Sequence, residues 1–308
     1  MVYEKEDILD KLYELLNENR LSIFAGSGIS VDSGLPTWDG FIHEYIEMCS
    51  ILNKYVDSKY KFTEIIEDAK KCNNPIDVIS ALKQKVLECE ENAINTSLCN
   101  DYLNKIFYKA NFNDYHKIIV STNYKQIITT NYDNLLEVAA LNCGYGPLIT
   151  RSYTYSEYEK ISAAIYANKT AIIHAHGKIQ NIKLNDLVLT RNDYNNIIKN
   201  NFAFSVIINT IFMTSSVLFV GYGGSDPHFE DIICNLNALF EGDGRNKLNL
   251  PKCYLMLKRD KITPIRELLN SNNSVDIIAF DNYEQMKLFL KNLCDEYPRV
   301  SIQDKLSN

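Results

Sequence analysis

The chain has 308 residues, of which 46% are hydrophobic and 23% are charged, and its formal net charge is −7. These are the proportions of a globular protein large enough to bury a sizeable core, and they argue against wholesale disorder. The acidic balance lacks the basic surplus that binding to a phosphate backbone needs, so we expect no direct contact with nucleic acid. No apolar run approaches the roughly 18–20 residues that span a bilayer, so we expect no membrane segment.

The cysteines and the N-terminus favour a cytoplasmic protein. Eight cysteines are scattered without a CxxC pair, which argues against a structural zinc ribbon and fits reduced thiols. We therefore expect no metal site and cysteines that pack as small hydrophobic residues. The first 19 residues are charged and amphipathic, unlike a signal peptide.

The chain opens with a predicted helix, because apolar residues between positions 5 and 19 recur at a spacing of three and four. A short apolar strand at 21–25 then breaks into Gly26-Ser27-Gly28, and a second helical pattern follows Pro36. A strand, a glycine turn and a helix in this order point backbone N–H groups and a helix N-terminus at a phosphate.

The middle of the chain differs from the rest in polarity and in the spacing of its apolar residues. From residue 51 to residue 115 it is polar, and its apolar residues lie mostly at helical spacing. This pattern predicts a helical insertion lobe within one domain that spans residues 1–308.

Apolar strands alternate with helices in the remaining sequence. We predict strands at 126–130, 171–174, 217–220, 253–257 and 275–280, with helices at 134–141 and 283–293 among them. This alternation predicts an α/β fold, a Rossmann-like parallel sheet with helices on both faces. The carboxyl ends of its strands are then the expected ligand-binding edge.

The glycine turn is the first candidate site block. Gly26 and Gly28 permit positive φ and close approach of the backbone, and Ser27 and Ser30 add hydroxyl groups. A common tight turn is the alternative. The block is neither a full G-x-G-x-x-G motif, since Val31 stands at the last position, nor a P-loop, since no Gly-Lys-Ser/Thr follows.

The second block, Thr130-Asn131-Tyr132-Asp133, ends a predicted strand with polar groups. The Asn131 amide offers a donor and an acceptor together, so it can hold a hydroxyl group and an attacking water at once. Asp133 can accept a hydrogen bond from a carboxamide. Alternatively, Asn131 is a turn residue and Asp133 caps the helix that follows.

The third block, His174-Ala175-His176-Gly177, places two histidines on one strand face. A neutral imidazole suits proton abstraction near pH 7. We choose His176 as the base because it stands at the strand end before a glycine, and we expect His174 to be a core or supporting residue.

The fourth block runs Gly221-Tyr222-Gly223-Gly224-Ser225-Asp226. Its small residues would let a ligand lie against the backbone. A strand-to-helix turn capped by Ser225 or Asp226 remains equally open.

The ordered blocks resemble the sirtuins. Their glycine–alanine–glycine loop, followed by isoleucine–serine, is similar to Gly26-Ser27-Gly28-Ile29-Ser30, and the segment after it is similar to Ser33-Gly34-Leu35-Pro36. The resemblance implies that Asn131 and His176 are catalytic and that NAD is the only cofactor, consumed as substrate without a metal. The residues implied to contact NAD are Ala25, Gly26, Ser27, Gly28, Ser30, Trp38, Thr130, Asp133, Gly221, Tyr222, Gly223, Ser225 and Asp226.

The chain departs from sirtuin deacylases where their Asp-Phe-Arg segment closes over NAD, because it has Thr37-Trp38-Asp39 there. It is most similar to bacterial sirtuin-like domains that deplete NAD in anti-phage defence, such as the effector of the Thoeris system. Those also lack the zinc ribbon and carry a helical insertion. We expect Trp38 to cover part of the NAD site, and a core position under the first helix is the alternative.

The resemblance implies an NAD hydrolase that releases nicotinamide and ADP-ribose. A protein-lysine deacylase and a non-catalytic NAD or ADP-ribose sensor remain as alternatives. Because unregulated loss of NAD would poison the host, we expect a homo-oligomer gated by self-assembly, an activating partner subunit or a fused sensor domain.

Overall fold

The computed structural model describes residues 2–56, 61–71, 76–89, 93–107, 110–179, 187–222, 251–263, 265 and 275–301. The strands in these ranges are β1 Val2–Glu4, β2 Leu21–Ala25, β3 Ile127–Thr129, β4 Ser152–Thr154, β5 Ile172–His174, β6 Ser216–Val220, β7 Cys253–Lys258 and β8 Val275–Phe280. The helices are α1 Lys5–Asn17, α2 Trp38–Tyr55, α3 Thr63–Lys71, α4 Ile76–Cys89, α5 Ala93–Phe107, α6 Asp114–Ser121, α7 Leu135–Asn142, α8 Gly146–Ile149, α9 Tyr158–Tyr166, α10 Arg191–Asn200, α11 Phe202–Thr214 and α12 Tyr283–Glu296. A 3₁₀ turn, Ser27–Ser33, follows β2.

The eight strands form one sheet in the order β1-β8-β7-β6-β2-β3-β5-β4, and all adjacent pairs are parallel. From β2 the chain proceeds to β3 on one side, and from β6 it proceeds to β7 on the other. The strand order therefore reverses between β2 and β6, and ligands of such sheets bind in the crevice at this reversal.

Helices cover both faces of the sheet, as the alternation along β2 illustrates. Ile23 packs in a cluster with residues of α1, α6, α7 and α12, whereas its neighbour Phe24 packs in a cluster with residues of α9, α10 and α11. Every position of β2 is buried. A strand covered on both faces is largely apolar, which is why these strands appear as short apolar runs. The polar residue of β2, Ser22, is buried with a hydrogen bond to the Ser215 hydroxyl. The predicted α/β fold class is confirmed.

The six predicted strands are all present, with ends within one residue of the prediction, whereas both edge strands were missed. β4 is polar and only half-buried along its length, so it carries no apolar run. β1 falls inside the charged N-terminal stretch and pairs on one side with β8. An edge strand has only one neighbour in the sheet, so it leaves a weaker pattern in the sequence.

The stretch predicted as a helical insertion contains α3, α4 and α5, and its described residues include no strand. These helices share a third hydrophobic cluster with α2. Lys83 of α4 is buried and bonds this cluster to α10 and to the residues that precede it. Its Nζ donates to the carbonyl of Leu187 at 2.8 Å and pairs with Asp193 at 2.9 Å.

Arg299, which follows α12, binds the end of the described chain to α6 and to the loops that precede β3 and β5. Its guanidinium donates to the main-chain carbonyls of Val120, Thr122 and Tyr124 and to the Thr170 hydroxyl. Burial lowers the pKa of Arg299 to about 10, and the group remains charged at neutral pH.

We expect Arg299→Met to lower the free energy of unfolding by about 2–4 kcal/mol, because several carbonyls lose a shared charged donor. Urea denaturation followed by circular dichroism measures this change. Arg259→Met is the matched control, since it removes a guanidinium whose two ion pairs are exposed, and it should cost clearly less. Equal losses in the two variants would contradict the anchoring role.

Candidate active site

The turns that follow the neighbouring strands β2 and β6 lie in van der Waals contact, and glycines make this close approach possible. A Cβ on Gly28 would lie 2.7 Å from the carbonyl oxygen of Gly221, and one on Gly26 would lie 2.9 Å from the same atom. Gly221 has a φ of 78°, in the left-handed region. The close approach that the sequence suggested for a ligand is therefore, in the structure, an approach of two loops to each other.

The amides of these two loop glycines are engaged within the protein. Gly26 N–H donates to Val220 at 2.9 Å, and Gly28 N–H donates to Gly221 at 2.9 Å. Their contact with a pyrophosphate stays a prediction. Any contact of this loop with an anion therefore has to use groups other than these two amides. Ser27, which lines the neighbouring pocket, is one candidate.

The hydroxyl of Ser30 joins three buried side chains from distant parts of the chain. It donates to Asp133 Oδ2 at 2.9 Å, accepts from Asn131 Nδ2 at 3.0 Å and lies 3.1 Å from His116 Nε2. The main-chain N–H of Asn113 donates to His116 Nδ1, so the ring hydrogen is on Nε2 and the imidazole donates to Ser30. One donor and two acceptor sites of the hydroxyl are thereby all used.

His116 belongs to this network although the sequence analysis did not single it out. It is fully buried, and burial lowers its pKa to about 4, so the ring is neutral at pH 7. It stands at the third position of α6, in a capping box with Asn113. The pattern Asn-x-x-His before an apolar helix is the signal that was available in the sequence.

Asn131 presents an unsatisfied acceptor to the pocket that it lines. Its Nδ2 is bound by Ser30 and its main-chain N–H by Thr129 Oγ1, but its buried Oδ1 has no hydrogen-bond partner among the described residues. Buried polar atoms rarely remain unpaired, so this oxygen is suited to a hydroxyl group of a ligand or to water.

Asp133 bonds to the start of α7 and also lines the pocket, and its contact with a carboxamide stays a prediction. Its Oδ1 accepts from the main-chain N–H of Leu135 at the start of α7, as a helix cap does, while its Oδ2 accepts from Ser30. The carboxylate also lines the pocket beside Asn131. Burial raises its pKa, and the hydrogen bonds from Leu135 and Ser30 oppose that rise.

A pocket of about 450 Å³ collects most of the predicted polar residues. Its polar lining comprises Ser27, Ser30, Thr37, Thr130, Asn131, Asp133 and His176, and its aromatic wall comprises Trp38, Phe41, Phe107 and Tyr132. Trp38 lies in the first turn of α2 and packs against Phe41 in the third hydrophobic cluster, not beneath α1. His176 is buried, and its ring lies edge-on to Tyr194 with centroids 6.3 Å apart.

A larger groove of about 950 Å³ adjoins this pocket above the crevice between β2 and β6. Ser27 and Thr37 line both spaces. The groove also holds two cations that the sequence analysis missed, Lys258 and Lys261. The Nζ of Lys258 lies 5.5 Å from the ring centroid of Tyr283, which lines the same groove.

The other predicted contact residues have mixed positions. Gly28, Gly221 and Tyr222 line the groove, and the Tyr222 hydroxyl lies 3.1 Å from Thr130 Oγ1. Ala25 and Gly26 are not among the residues that line either space, and the Ala25 carbonyl accepts from the Thr129 hydroxyl. The remaining three, Gly223, Ser225 and Asp226, lie outside the described residues.

His174 does not line the pocket. Its Nδ1 lies 3.1 Å from the carbonyl oxygen of Asn131, and its Nε2 lies 2.9 Å from Glu137 Oε1. It is fully buried, which fits the supporting position expected for it. Its acidic partner Glu137 was not anticipated.

The described residues contain no group of three or more His, Cys, Asp or Glu side chains arranged to hold a metal ion. Within the same residues, no helix has the length and apolar character to cross a membrane.

Comparison with known proteins places these residues in a family context. The profile of the SIR2-like domain matches residues 125–278. Similar curated proteins are the NAD(+) hydrolase ThsA of Cytobacillus dafuensis, 27% identical over 80% of this chain and 44% of the relative, and that of Enterococcus faecium, 22% identical over 97% and 60%. A third, from Acinetobacter baumannii (strain 532279), is 23% identical over 79% and 44%. The chain thus spans about half the length of these relatives.

We expect the buried His116 to make stability depend on pH. Between pH 6.5 and pH 4 the unfolded chain binds a proton at this histidine and the folded chain does not, so stability falls as the pH falls. At pH 5 the loss from this group is about 2 kcal/mol. His116→Gln keeps a donor toward Ser30 and cannot titrate.

Urea denaturation of both proteins at pH 7 and pH 5 measures this contribution. Asp133 and the other titrating groups are common to both, so the difference between the two pH dependences isolates His116. Identical pH dependences would contradict the assignment of a neutral, proton-excluding ring.

Proposed function

Because the chain belongs to the SIR2-like domain family, we propose that it is an NAD hydrolase, which cleaves the bond between nicotinamide and ribose. The observation that carries this proposal is the unsatisfied Oδ1 of Asn131, which shares a pocket with Asp133 and His176. The three similar proteins, each an NAD(+) hydrolase ThsA, suggest the reaction. The sirtuin resemblance supplies the roles of the three residues.

The two adjoining spaces suit the two halves of NAD. In our proposal, the nicotinamide and its ribose occupy the polar pocket, and the adenosine half occupies the groove at the strand-order reversal. The pyrophosphate then passes Ser27 and Thr37, which line both spaces. Lys261 and Lys258, the latter paired with the exposed Asp260, line the groove and offer positive charge to the phosphates, against the negative charge of Asp32.

The proposed reaction breaks the glycosidic bond and adds water to the ribose. The electron pair of the bond goes to the pyridinium nitrogen, so nicotinamide leaves neutral and positive charge develops on the ribose. Asn131 Oδ1 holds a ribose hydroxyl or the attacking water. As the water oxygen bonds to the anomeric carbon, His176 takes its proton and passes it to solvent, which leaves ADP-ribose.

Water is the acceptor in this proposal because the features of a deacylase are missing. The sequence has no CxxC pairs to build a zinc ribbon, and Thr37-Trp38-Asp39 replaces the Asp-Phe-Arg segment. Trp38 and Phe41 form an aromatic wall of the pocket, which shields the reacting bond from bulk water. The deacylase and the non-catalytic sensor remain the competing functions.

The biological role follows from the cost of this reaction to a cell. We propose a cytoplasmic NAD-depleting effector of anti-phage defence, kept inactive until triggered. Self-association into a homo-oligomer, an activating partner subunit or a fused sensor domain provides the gate. The chain spans about half the length of these relatives, so the relatives have room for a further domain of the kind that a fused sensor would be.

We expect Asn131→Ala and His176→Ala each to reduce NAD cleavage by about 10²–10⁴-fold, the usual loss when a positioned base or water ligand is removed. Nicotinamide release followed by chromatography measures the rate. His43→Ala is the matched control, because this histidine is exposed on α2, and it should retain wild-type turnover. Near-normal turnover in His176→Ala would refute its role as the base.

The products separate the three candidate functions. With NAD alone, we expect nicotinamide and free ADP-ribose in equal amounts, and an acetyl-lysine peptide should neither accelerate the reaction nor be consumed. O-acetyl-ADP-ribose formed in step with the peptide would establish a deacylase. Binding of NAD without release of nicotinamide would favour the sensor.

A further inference from the structure

A buried ion pair lies next to Asn131 at the carboxyl ends of β3 and β5. Glu137, in the first turn of α7, accepts at Oε1 from His174 Nε2 at 2.9 Å and from Lys178 Nζ at 3.0 Å. The hydroxyl of Ser152 in β4 donates to the same oxygen. His174 is fully buried, and Glu137 is nearly so.

The partners of His174 define its hydrogen bonds. The Asn131 carbonyl can only accept, so Nδ1 carries a hydrogen and donates to it, while Nε2 lies against the Glu137 carboxylate. Burial alone would raise the pKa of Glu137, but the adjacent His174 and Lys178 hold it below its ordinary value. A charged pair buried at this depth is stable only while both members keep their partners.

This ion pair fixes the main chain of Asn131. The carbonyl of Asn131 accepts from His174 Nδ1, its N–H donates to Thr129 Oγ1 and its side-chain Nδ2 donates to Ser30. With these three bonds in place, the position of the free Oδ1 in the pocket is determined. Among the described residues, the bond from His174 is the one that restrains the carbonyl end of the residue.

We infer that His174 is a positioning residue for cleavage of the nicotinamide–ribose bond, acting through its Nδ1 hydrogen bond to the main-chain carbonyl of Asn131. Glu137 holds the ring in the orientation that this bond requires. The inference rests on the proposed function for its effect on rate, but its structural part is independent of that function. A shift of about 1 Å in a positioning group can cost on the order of 10²-fold in rate.

Two substitutions divide the contacts of His174 between them. In His174→Asn the amide nitrogen takes the place of Nδ1, so the donor to Asn131 is kept and the contact with Glu137 is lost. In His174→Gln the amide nitrogen takes the place of Nε2, so the contact with Glu137 is kept and the donor to Asn131 is lost. In both variants Glu137 retains Lys178 and Ser152 as partners.

We expect kcat for NAD cleavage to fall about 10–100-fold in His174→Gln, with KM changed less than about threefold, because ground-state contacts remain. His174→Asn should keep at least ten times the kcat of His174→Gln, even where urea denaturation finds it the less stable protein. Were His174 merely structural, activity would follow stability, and His174→Gln, which keeps the contact with Glu137, would be the more active variant.

Crystal structures of the two variants provide a readout without turnover. We expect the carbonyl of Asn131 to have turned away in His174→Gln and to be unchanged in His174→Asn. An unmoved Asn131 in His174→Gln, or a folded His174→Asn with kcat as low as that of His174→Gln, would overturn the inference. If the activated wild-type protein releases no nicotinamide, the proposed function fails, while the position of Asn131 in the variants still decides whether His174 positions it.

Discussion

The geometry of the site depends on the hydrogen-bonding capacity of one hydroxyl group, that of Ser30. A hydroxyl has one hydrogen to donate and two lone pairs to accept with. His116 Nε2 and Asn131 Nδ2 are both donors, so the hydrogen of Ser30 has to point to Asp133. This assignment orients the Asn131 amide and leaves its oxygen for a ligand. Since all members of the network are buried, none can reorient without leaving a polar group unpaired, and the site is preorganised.

The sheet topology places this hydroxyl where a ligand can reach it. Ser30 lies in the turn after β2, beside the reversal of strand order, and the turn is held there by the glycine contacts with Gly221. Asn113 adds a second restraint, because its side chain donates to the Ile29 carbonyl and to the Ser33 hydroxyl. The loop after β2 is thus fixed from β6 on one side and from α6 on the other.

The sequence predicted the parts of this protein that depend on local pattern. Buried strands, the first helix and the polar blocks at strand ends all leave local signatures, and the fold class and the family were predicted correctly from them. The partners of the site residues were not predictable, because they come from far along the chain. His116 is 86 residues from Ser30, and Glu137 is 37 residues from His174. Hydrophobic periodicity predicts which face of a helix is buried, but it does not predict which other element packs against that face. A residual signal existed at Glu137, the one acidic residue of the otherwise apolar helix Leu135–Asn142, since a buried acid requires a cationic partner.

The charges around Asn131 suit the reaction that we propose. Glu137 accepts from both His174 and Lys178 beside this residue. Asp133 is the carboxylate that reaches the pocket; burial raises its pKa, and the hydrogen bonds from Leu135 and Ser30 oppose that rise. An ionised Asp133 attracts the cationic ring of NAD and the positive charge that develops on the ribose. Once the glycosidic bond has broken, nicotinamide is neutral and this attraction is gone. The same carboxylate that favours binding and bond cleavage therefore does not retain the departing base.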